Sequence, residues 1–325
     1  MKVSSILTLL LISNLAISAD VFYVDPENGS PTGDGSEANP WKTLQEVFEG
    51  DLIETRAPAN LPYSGEGALV TKNDGAPVKS GDTITLLSGY HGEIDYTTGY
   101  NDGVITIEAK PGHTPRFKSI TLRAAGGWVL RGLSISPSFA PVYEEVTAVE
   151  ADSHAWFGPA HDIVVENCFI FSVEDISTWS VDDWNTLAIN GIALDGDRCV
   201  ARSNWLRNVN FGIIASGDDC LVEYNTIENF SGDGIRGLGD ASTYQYNVVK
   251  NCYDVNDNHD DGFQSWSVGE GGVGTGVVKD VTLRGNTFIN YTDPNQLHRG
   301  TLQAIGCFDG FFENWVVENL SLIHI

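Results

Sequence analysis

Two stretches of this chain can be laid on one another without a gap. Gly191–Asn208 ("GIALDGDRCVARSNWLRN") and Gly212–Asn229 ("GIIASGDDCLVEYNTIEN") match at an offset of 21 residues, sharing Gly, Ile, Cys and two Asn. A third copy, "GIRGLGDASTYQYNVVKN" from Gly234, follows at an offset of 22. Asn167, Asn204, Asn225, Asn247, Asn286 and Asn314 take one recurring place, each with an apolar residue two positions on. A unit this short cannot bury an apolar face by itself, so its copies must stack into a solenoid. Short β-branched runs such as "DTITLL", "GVITIEA" and "DIVVEN", separated by Gly, Asn and Asp, make the stacked elements strands and turns. Long helical periodicity is missing.

The recurring asparagines read as a structural ladder. Asn tolerates left-handed backbone at a turn, and its amide can bond along the stack. Ile192, Ile213, Ile235, Phe263 and Leu302 fall at the inward place of successive strands, which puts Arg236, Gln264 and Gln303 in an outward row. The five cysteines, Cys168, Cys199, Cys220, Cys252 and Cys307, are odd in number and not a dense disulfide framework. Cys199 and Cys220 lie one coil apart and are expected as stacked, buried thiols.

Coils of about 21 residues with three short strands resemble the right-handed parallel β-helix of the pectate lyase-like superfamily, over nearly all of the chain. The resemblance implies an all-β solenoid spanning residues 20–319, with an N-terminal cap helix. "FYVDPENGSPTGDGSEANPWKTLQEVF" resembles the usual entry to such solenoids: Asn39 is the expected N-cap with Pro40 in the first turn, and Trp41, Leu44, Val47 and Phe48 share one face. Residues 1–19 read as a secretory leader, with Lys2, an apolar run from Ile6 to Leu15, and small residues near Ala19. An exported protein, secreted or periplasmic, is therefore expected. Residues 320–325, "LSLIHI", match the translation of a common sequencing adapter. Native sequence is expected to end near Asn319 here and to continue in the natural protein.

The formal net charge is -26. It argues against nucleic acid or an anionic membrane as a partner, and a polyanionic ligand needs local cationic groups. A monomer is expected.

Regular coils spend four or five residues between the last asparagine of one coil and the strand glycine of the next. Three segments spend more, all at one corner: residues 172–190, 252–261 and 291–300. Loops on one corner of a solenoid wall off the adjoining sheet face. At an offset of 39 the last two of these coils match, pairing His259 with His298, Gln264 with Gln303, and Asp260 with Arg299. On that register the two histidines stack beside an acid and an arginine. Asp257, Asp260 and Asp261 are acids of the kind that hold calcium; the expectation is nonetheless that no metal is required. Trp179, Trp184 and Trp266 are candidate platforms for sugar rings, with loop packing as the alternative.

Elimination or epimerisation of a uronic acid begins by removing the proton beside a carboxylate, which takes a base and a group that neutralises the carboxylate. His259 or His298 fits the base, and Arg236 or Arg299 the neutraliser, with Asp257 and Asp260 beside them. Gln264, Gln303, Trp266, Trp179, Trp184 and Asp261 are candidates for substrate contact. "DNHD", Asp257–Asp260, resembles the D-P-H-D motif of mannuronan C5-epimerases, with Asn258 in the proline place. A rival motif, "SGDDC" from Ser216 to Cys220, resembles the double aspartate of polygalacturonases, which hydrolyse with paired carboxylates. The G-H-G expected one coil later is "GDGIRG", without histidine, and Asp218 and Asp219 read as turn residues. The expectation is an enzyme acting on an acidic polysaccharide by β-elimination or C5-epimerisation. A polygalacturonase-type hydrolase and a non-catalytic glycan-binding protein are the alternatives.

Overall fold

The structure, a computed structural model, describes residues 19–65 and 67–323. Apart from Ala19, the expected leader lies outside the described residues, as do the last two residues of the expected tail. Ser321–Ile323, inside that tail, pair in parallel with Thr287–Ile289.

The chain is a right-handed parallel β-helix. Successive coils lay one short strand on each of three faces. Along the first face run His161–Glu166, Val200–Arg202, Leu221–Glu223, Thr243–Gln245, Thr282–Arg284 and Val316–Glu318. The second is a nine-stranded sheet that includes Phe169–Phe171, Trp205–Val209, Thr226–Phe230, Val248–Cys252 and Thr287–Ile289. The third carries Thr147–Asp152, Asn190–Leu194, Ile213–Ala215, Ile235–Gly237, Asp261–Ser265 and Gln303–Cys307. Two long strands, Ile94–Ala109 and Ile120–Arg131, serve both the first and third faces and join them into one 18-stranded sheet.

Like side chains stack inside. Ile192, Ile213, Ile235 and Phe263 are cross-strand neighbours, as are Leu206, Ile227, Val249 and Phe288, and all are almost fully buried. Each such side chain contributes about 1.5–3 kcal/mol of transfer free energy. Glycine marks the turn into the third face because the coils nearly touch there. A Cβ on Gly212 would stand 2.4 Å from the carbonyl oxygen of Gly234, and one on Gly191 2.3 Å from that of Gly212.

The asparagine ladder exists, but the left-handed backbone belongs to its neighbours. The Asn204 amide donates to Asn225 Oδ1, Asn225 to Asn247 and Asn247 to Asn286, each at 3.0 Å, and all four are buried. The positive φ falls one residue earlier, at Ser203, Tyr224, Tyr246 and Gly285. Asn167 and Asn314 occupy that earlier place, with φ of 54° and 56°. Cys168 then holds the ladder seat, and its N–H donates to Asn204 Oδ1 at 2.9 Å. A second row, Asn208, Asn229 and Asn251, does combine left-handed backbone with amide bonds along the stack.

On the first face the outward side chains form an ion ladder. Glu108, Arg131, Glu166 and Arg202 are successive cross-strand partners, with ion pairs of 2.5–2.7 Å. Glu223 follows Arg202 and bonds Gln245 at 2.8 Å; Arg284 and Glu318 complete the row.

A helix does form near the N-terminus, Leu44–Glu49, but it begins four residues later than the Asn39–Pro40 start implied. Thr43 is the N-cap, and its hydroxyl accepts from the Glu46 N–H. Trp41 is held instead in extended backbone, bonded through its N–H to Tyr23 O and through its carbonyl to Asp25 N. Leu44, Val47 and Phe48 are buried, with Phe48 against Tyr96 and Trp128.

The five cysteines are free; four are buried and Cys307 is exposed.

Candidate active site

The third face holds a local pattern that occurs in two adjacent coils. Asp233-Gly234-Ile235-Arg236 lies beside Asp261-Gly262-Phe263-Gln264, with Ile235 opposite Phe263 and Arg236 opposite Gln264. In each copy the carboxylate bonds the polar side chain three residues on. Arg236 Nε donates to Asp233 Oδ2, and Gln264 Nε2 donates to Asp261 Oδ2 at 2.8 Å. In the coil before, Phe211 and Ile214 take these two seats; in the coil after, Gln303 and Gly306 do. The polar cluster is thus confined to two coils of an otherwise repetitive face. Asp233 was missed in the sequence, though "DGIR" and "DGFQ", 28 residues apart, were the signal for it.

Both carboxyls are sealed from solvent, Asp233 at 1% and Asp261 at 0% exposure, and Oδ1 of each has no hydrogen-bond partner among the described residues. Desolvation disfavours their charged forms. Burial pushes Asp261 up to about 6, opposed by the Gln264 bond and reinforced by Asp233. Burial also raises Asp233, against the pull of Arg236. The Arg236 guanidinium lies 3.6 Å from the Phe211 ring centroid and 5.1 Å from that of Trp266, so aromatic faces as well as Asp233 hold it.

Outside this cluster opens a cleft of about 290 Å³ lined by His259, Gln264, Trp266, Val273, Phe308 and Asp309. His259 stands exposed at its rim, with its ring 5.0 Å from that of Phe308. The cleft therefore brings together an imidazole, an amide and aromatic walls, with a guanidinium and two buried carboxyls just behind.

Several expected partners are elsewhere. The offset of 39 holds on the second face, where Val249 meets Phe288, but on the third face Asp261 meets Gln303, an offset of 42. The third loop runs three residues longer before its strand resumes. Leu302 is drawn under the Asn290 side chain at the corner, and Ile305 takes the seat beside Phe263. Gln303 is consequently exposed and stands opposite Asp261; Gly306 completes the Arg236–Gln264 row. His259 and His298 do not stack. The His298 carbonyl accepts from Asp254 N–H, and its ring lines a different cavity. Arg299 curls onto its own loop, 4.3 Å over the Tyr291 ring and bonded to Pro294 O.

The three acids considered for calcium diverge. Asp257 is exposed on the loop, Asp261 turns to Gln264, and the Asp260 carboxyl packs against Gly300. Among the described residues no group of three or more acidic, His or Cys side chains is arranged to hold a metal ion. Burial pushes Asp260 up to about 7, reinforced by Asp254, Asp233 and Asp261. Trp179 and Trp184 are not open platforms. They are 8% and 2% exposed, packed edge-to-face on one another, with Trp184 against Tyr253. Trp266 remains half-buried at the cleft.

Asp218 belongs to a turn ladder. Its N–H donates to Asp197 Oδ1, its own Oδ1 accepts from Asp240 N–H, and Asp240 Oδ1 accepts from Lys279 N–H. Asp219 supplies the left-handed residue of that turn, with φ of 57°. Neither faces the cleft.

No family model matches the chain, and no curated protein does. Solved structures similar to it include pectate lyase Pel9A, 13% identical with a TM-score of 0.45, covering 94% of this chain and 79% of that one. A GH136 lacto-N-biosidase from Eubacterium ramulus is also 13% identical, with a TM-score of 0.35, covering 90% and 68%. A rhamnogalacturonan lyase is 13% identical, with a TM-score of 0.33, covering 93% and 88%. At these values the class of the protein, a parallel β-helix, rests on its own strand register.

Proposed function

We propose that this protein is an exported enzyme acting on a uronate-containing polysaccharide by β-elimination or C5-epimerisation at the His259 cleft. The observation that carries the reading is the two-coil repeat of acid and polar partner, Asp233–Arg236 and Asp261–Gln264, behind an aromatic-walled cleft. Arg236 and Gln264 form the paired donors that a substrate carboxylate needs, and each is held in place by a buried acid. Neutralising that carboxylate lowers the cost of the carbanion that forms beside it. His259, exposed at the rim, is the base that takes the C5 proton. Asp261, raised by burial, is sealed behind Gln264 and fixes that amide. The proton returned to the leaving oxygen therefore comes from the protonated His259, and that returned to the opposite face of C5 from water. Trp266 and Phe308 offer apolar surface to the sugar ring.

Hydrolysis is the second reading, favoured by one observation. Asp233 and Asp261 are equivalent residues of adjacent coils, and coils lie about 4.8 Å apart, near the carboxyl separation of retaining glycosidases.

The test is a screen of polyuronates with the purified protein. It follows ultraviolet absorbance of an unsaturated product, solvent-proton exchange at C5 by NMR, and reducing ends. Absorbance or exchange that falls about 100-fold in His259→Ala, the usual scale for a general acid–base group, supports the first reading. Reducing ends without unsaturation favour the second. No turnover of any polyuronate, or full activity in His259→Ala, overturns the first.

A further inference from the structure

Of the three long loops at one corner, only 252–261 reaches the cleft, through His259. All three close around a second cavity of about 230 Å³, lined by Trp179, Trp184, Tyr253, Asp293, Gln296 and His298 among others. Its inner wall is rigid. The helix Val181–Leu187 is fixed at its start by a capping box between Ser180 and Asp183. Trp179, Trp184, Ala188 and Val255 form a separate apolar cluster against it. Cross-loop bonds tie the pieces together, Asn185 Nδ2 to Val255 O at 3.0 Å and Asn256 Nδ2 to Asn185 Oδ1 at 2.9 Å.

The polar groups on this wall are unspent. The indole N–H groups of Trp179 and Trp184 bond no described residue and are not among the sealed, unpartnered atoms, so both remain free to donate from residues that line the cavity. The Tyr253 hydroxyl and both ring nitrogens of His298, which also line the cavity, have no partner among the described residues. Gln296 spends its amide N–H on Cys252 O at 2.7 Å, which leaves Oε1 as an acceptor. Asp293 Oδ1 takes the Asn295 N–H at 2.8 Å, leaving Oδ2. His298 is itself held in the left-handed region, at φ 48°.

Rigid donors and acceptors converging on an aromatic-lined cavity are the complement of a ring bearing several hydroxyls. The charge chooses among such rings. Asp293 lines the cavity together with Tyr253, and no Lys or Arg does. An anionic sugar would meet an uncompensated carboxylate in a protein of net charge -26. The geometry points to the loop-corner cavity as a binding site for one neutral pyranose unit, separate from the His259 cleft and independent of the chemistry there. The loop 252–261 supplies Tyr253 to this cavity and His259 to the cleft, so a neutral sugar seated here would hold that loop from behind.

The experiment is titration of the whole protein with galactose, glucose, xylose, rhamnose and, for contrast, galacturonate, followed by tryptophan fluorescence and calorimetry. At least one neutral sugar is expected to bind saturably with Kd of about 1–10 mM, the range of a small, weakly held ligand. It should perturb the fluorescence of the two lining indoles. Tyr253→Phe and His298→Asn should each weaken binding at least fivefold without lowering Tm; asparagine is chosen because it accepts the left-handed backbone at 298. Galacturonate binding as tight as the neutral sugars overturns the assignment of ligand class. So does unchanged affinity in both variants. No saturation by any neutral sugar at roughly tenfold the upper Kd overturns the site.

Discussion

Arg236 and Gln264 are cross-strand neighbours, and each ends in a bond to the carboxylate three residues before it. A guanidinium and an amide thereby project side by side with little freedom to move. Such preorganised donors stabilise developing charge without rearranging during the reaction.

The division of labour across the cluster is testable by substitution. On the proposed reading Asp261→Ala releases the Gln264 amide from its anchor, and turnover should fall about 100-fold, the scale of losing one preorganised donor. Arg236→Lys loses the planar fork and should fall by a comparable factor. Arg299→Ala, on a side chain curled over Tyr291, should stay within twofold of the parent. Steady-state kinetics on the best polyuronate checks all three, with melts to confirm folding.

Stability should fall as pH rises through neutrality. Asp260 and Asp261 have folded-state values of about 7 and about 6, above the 3.8 of an ordinary aspartate. A raised value means the folded state binds more protons than the unfolded one between these limits. Their contribution is complete below pH 3.8 and is lost as pH climbs through 6 to 7. Each unit is worth roughly 1.4 kcal/mol, so the loss amounts to a few kcal/mol. Urea melts at pH 5 and pH 8 should show it, and Asp260→Asn should flatten the difference. A Tm that is flat or rising from pH 5 to 8 in the parent would contradict the burial of these carboxyls.

Asn225 carries more of the fold than its size suggests. Its Oδ1 accepts from the Asn204 N–H and amide, and its Nδ2 donates to Ala201 O and Asn247 Oδ1. Asn225→Ala removes these four bonds and leaves the buried Asn204 N–H without its acceptor, which should cost about 2–5 kcal/mol. Asn247 Oδ1 keeps the Asn225 backbone N–H, and the Asn204 amide keeps Val165 O. Chemical denaturation with an unchanged m-value is the expected signature.

Thiol chemistry should separate one cysteine from four. Burial pushes Cys168, Cys199 and Cys252 up to about 12 and Cys220 up to about 11, whereas Cys307 is exposed. A thiol reagent should label one site in the native protein and five after unfolding. Rapid native labelling of more than one would mean that the coils are looser than described.

How much of this was readable in the sequence depended on whether a feature repeats. The 21-residue period set the fold, because only stacked coils reconcile Ile192, Ile213 and Ile235 with one core. Asp218 and Asp219 already looked like turn residues from their likeness to "LDGD" one coil earlier, and they are. The site was harder because it interrupts the repeat. Matching His259 to His298 assumed equal loop lengths, and three extra residues after Asn290 shifted the strand while leaving the second face in register. Asp233 passed unnoticed because an aspartate before a glycine looks like any turn. Arg236 stood out in the outward row, but its pairing with Asp233 becomes evident only when two adjacent coils are compared. Trp179 and Trp184 lie in the first extended segment, Trp184 on its short helix, but their burial depends on Tyr253 and Val255 of the next loop, which no local pattern encodes.

The ion ladder on the first face bears on a problem common to repetitive chains. Isoleucine stacked on isoleucine fits nearly as well if a coil is skipped, so the core alone hardly distinguishes correct threading from a slipped one. The row Glu108, Arg131, Glu166, Arg202, Glu223 does distinguish them. Omitting one coil would set Arg131 beside Arg202, or Glu166 beside Glu223, turning attraction into repulsion at each step. The exposed Arg131–Glu108 pair adds little to stability singly, whereas Glu166, paired on both sides, is buried. The alternation works as a parity check, rejecting during winding the errors that a uniform apolar interior would let through.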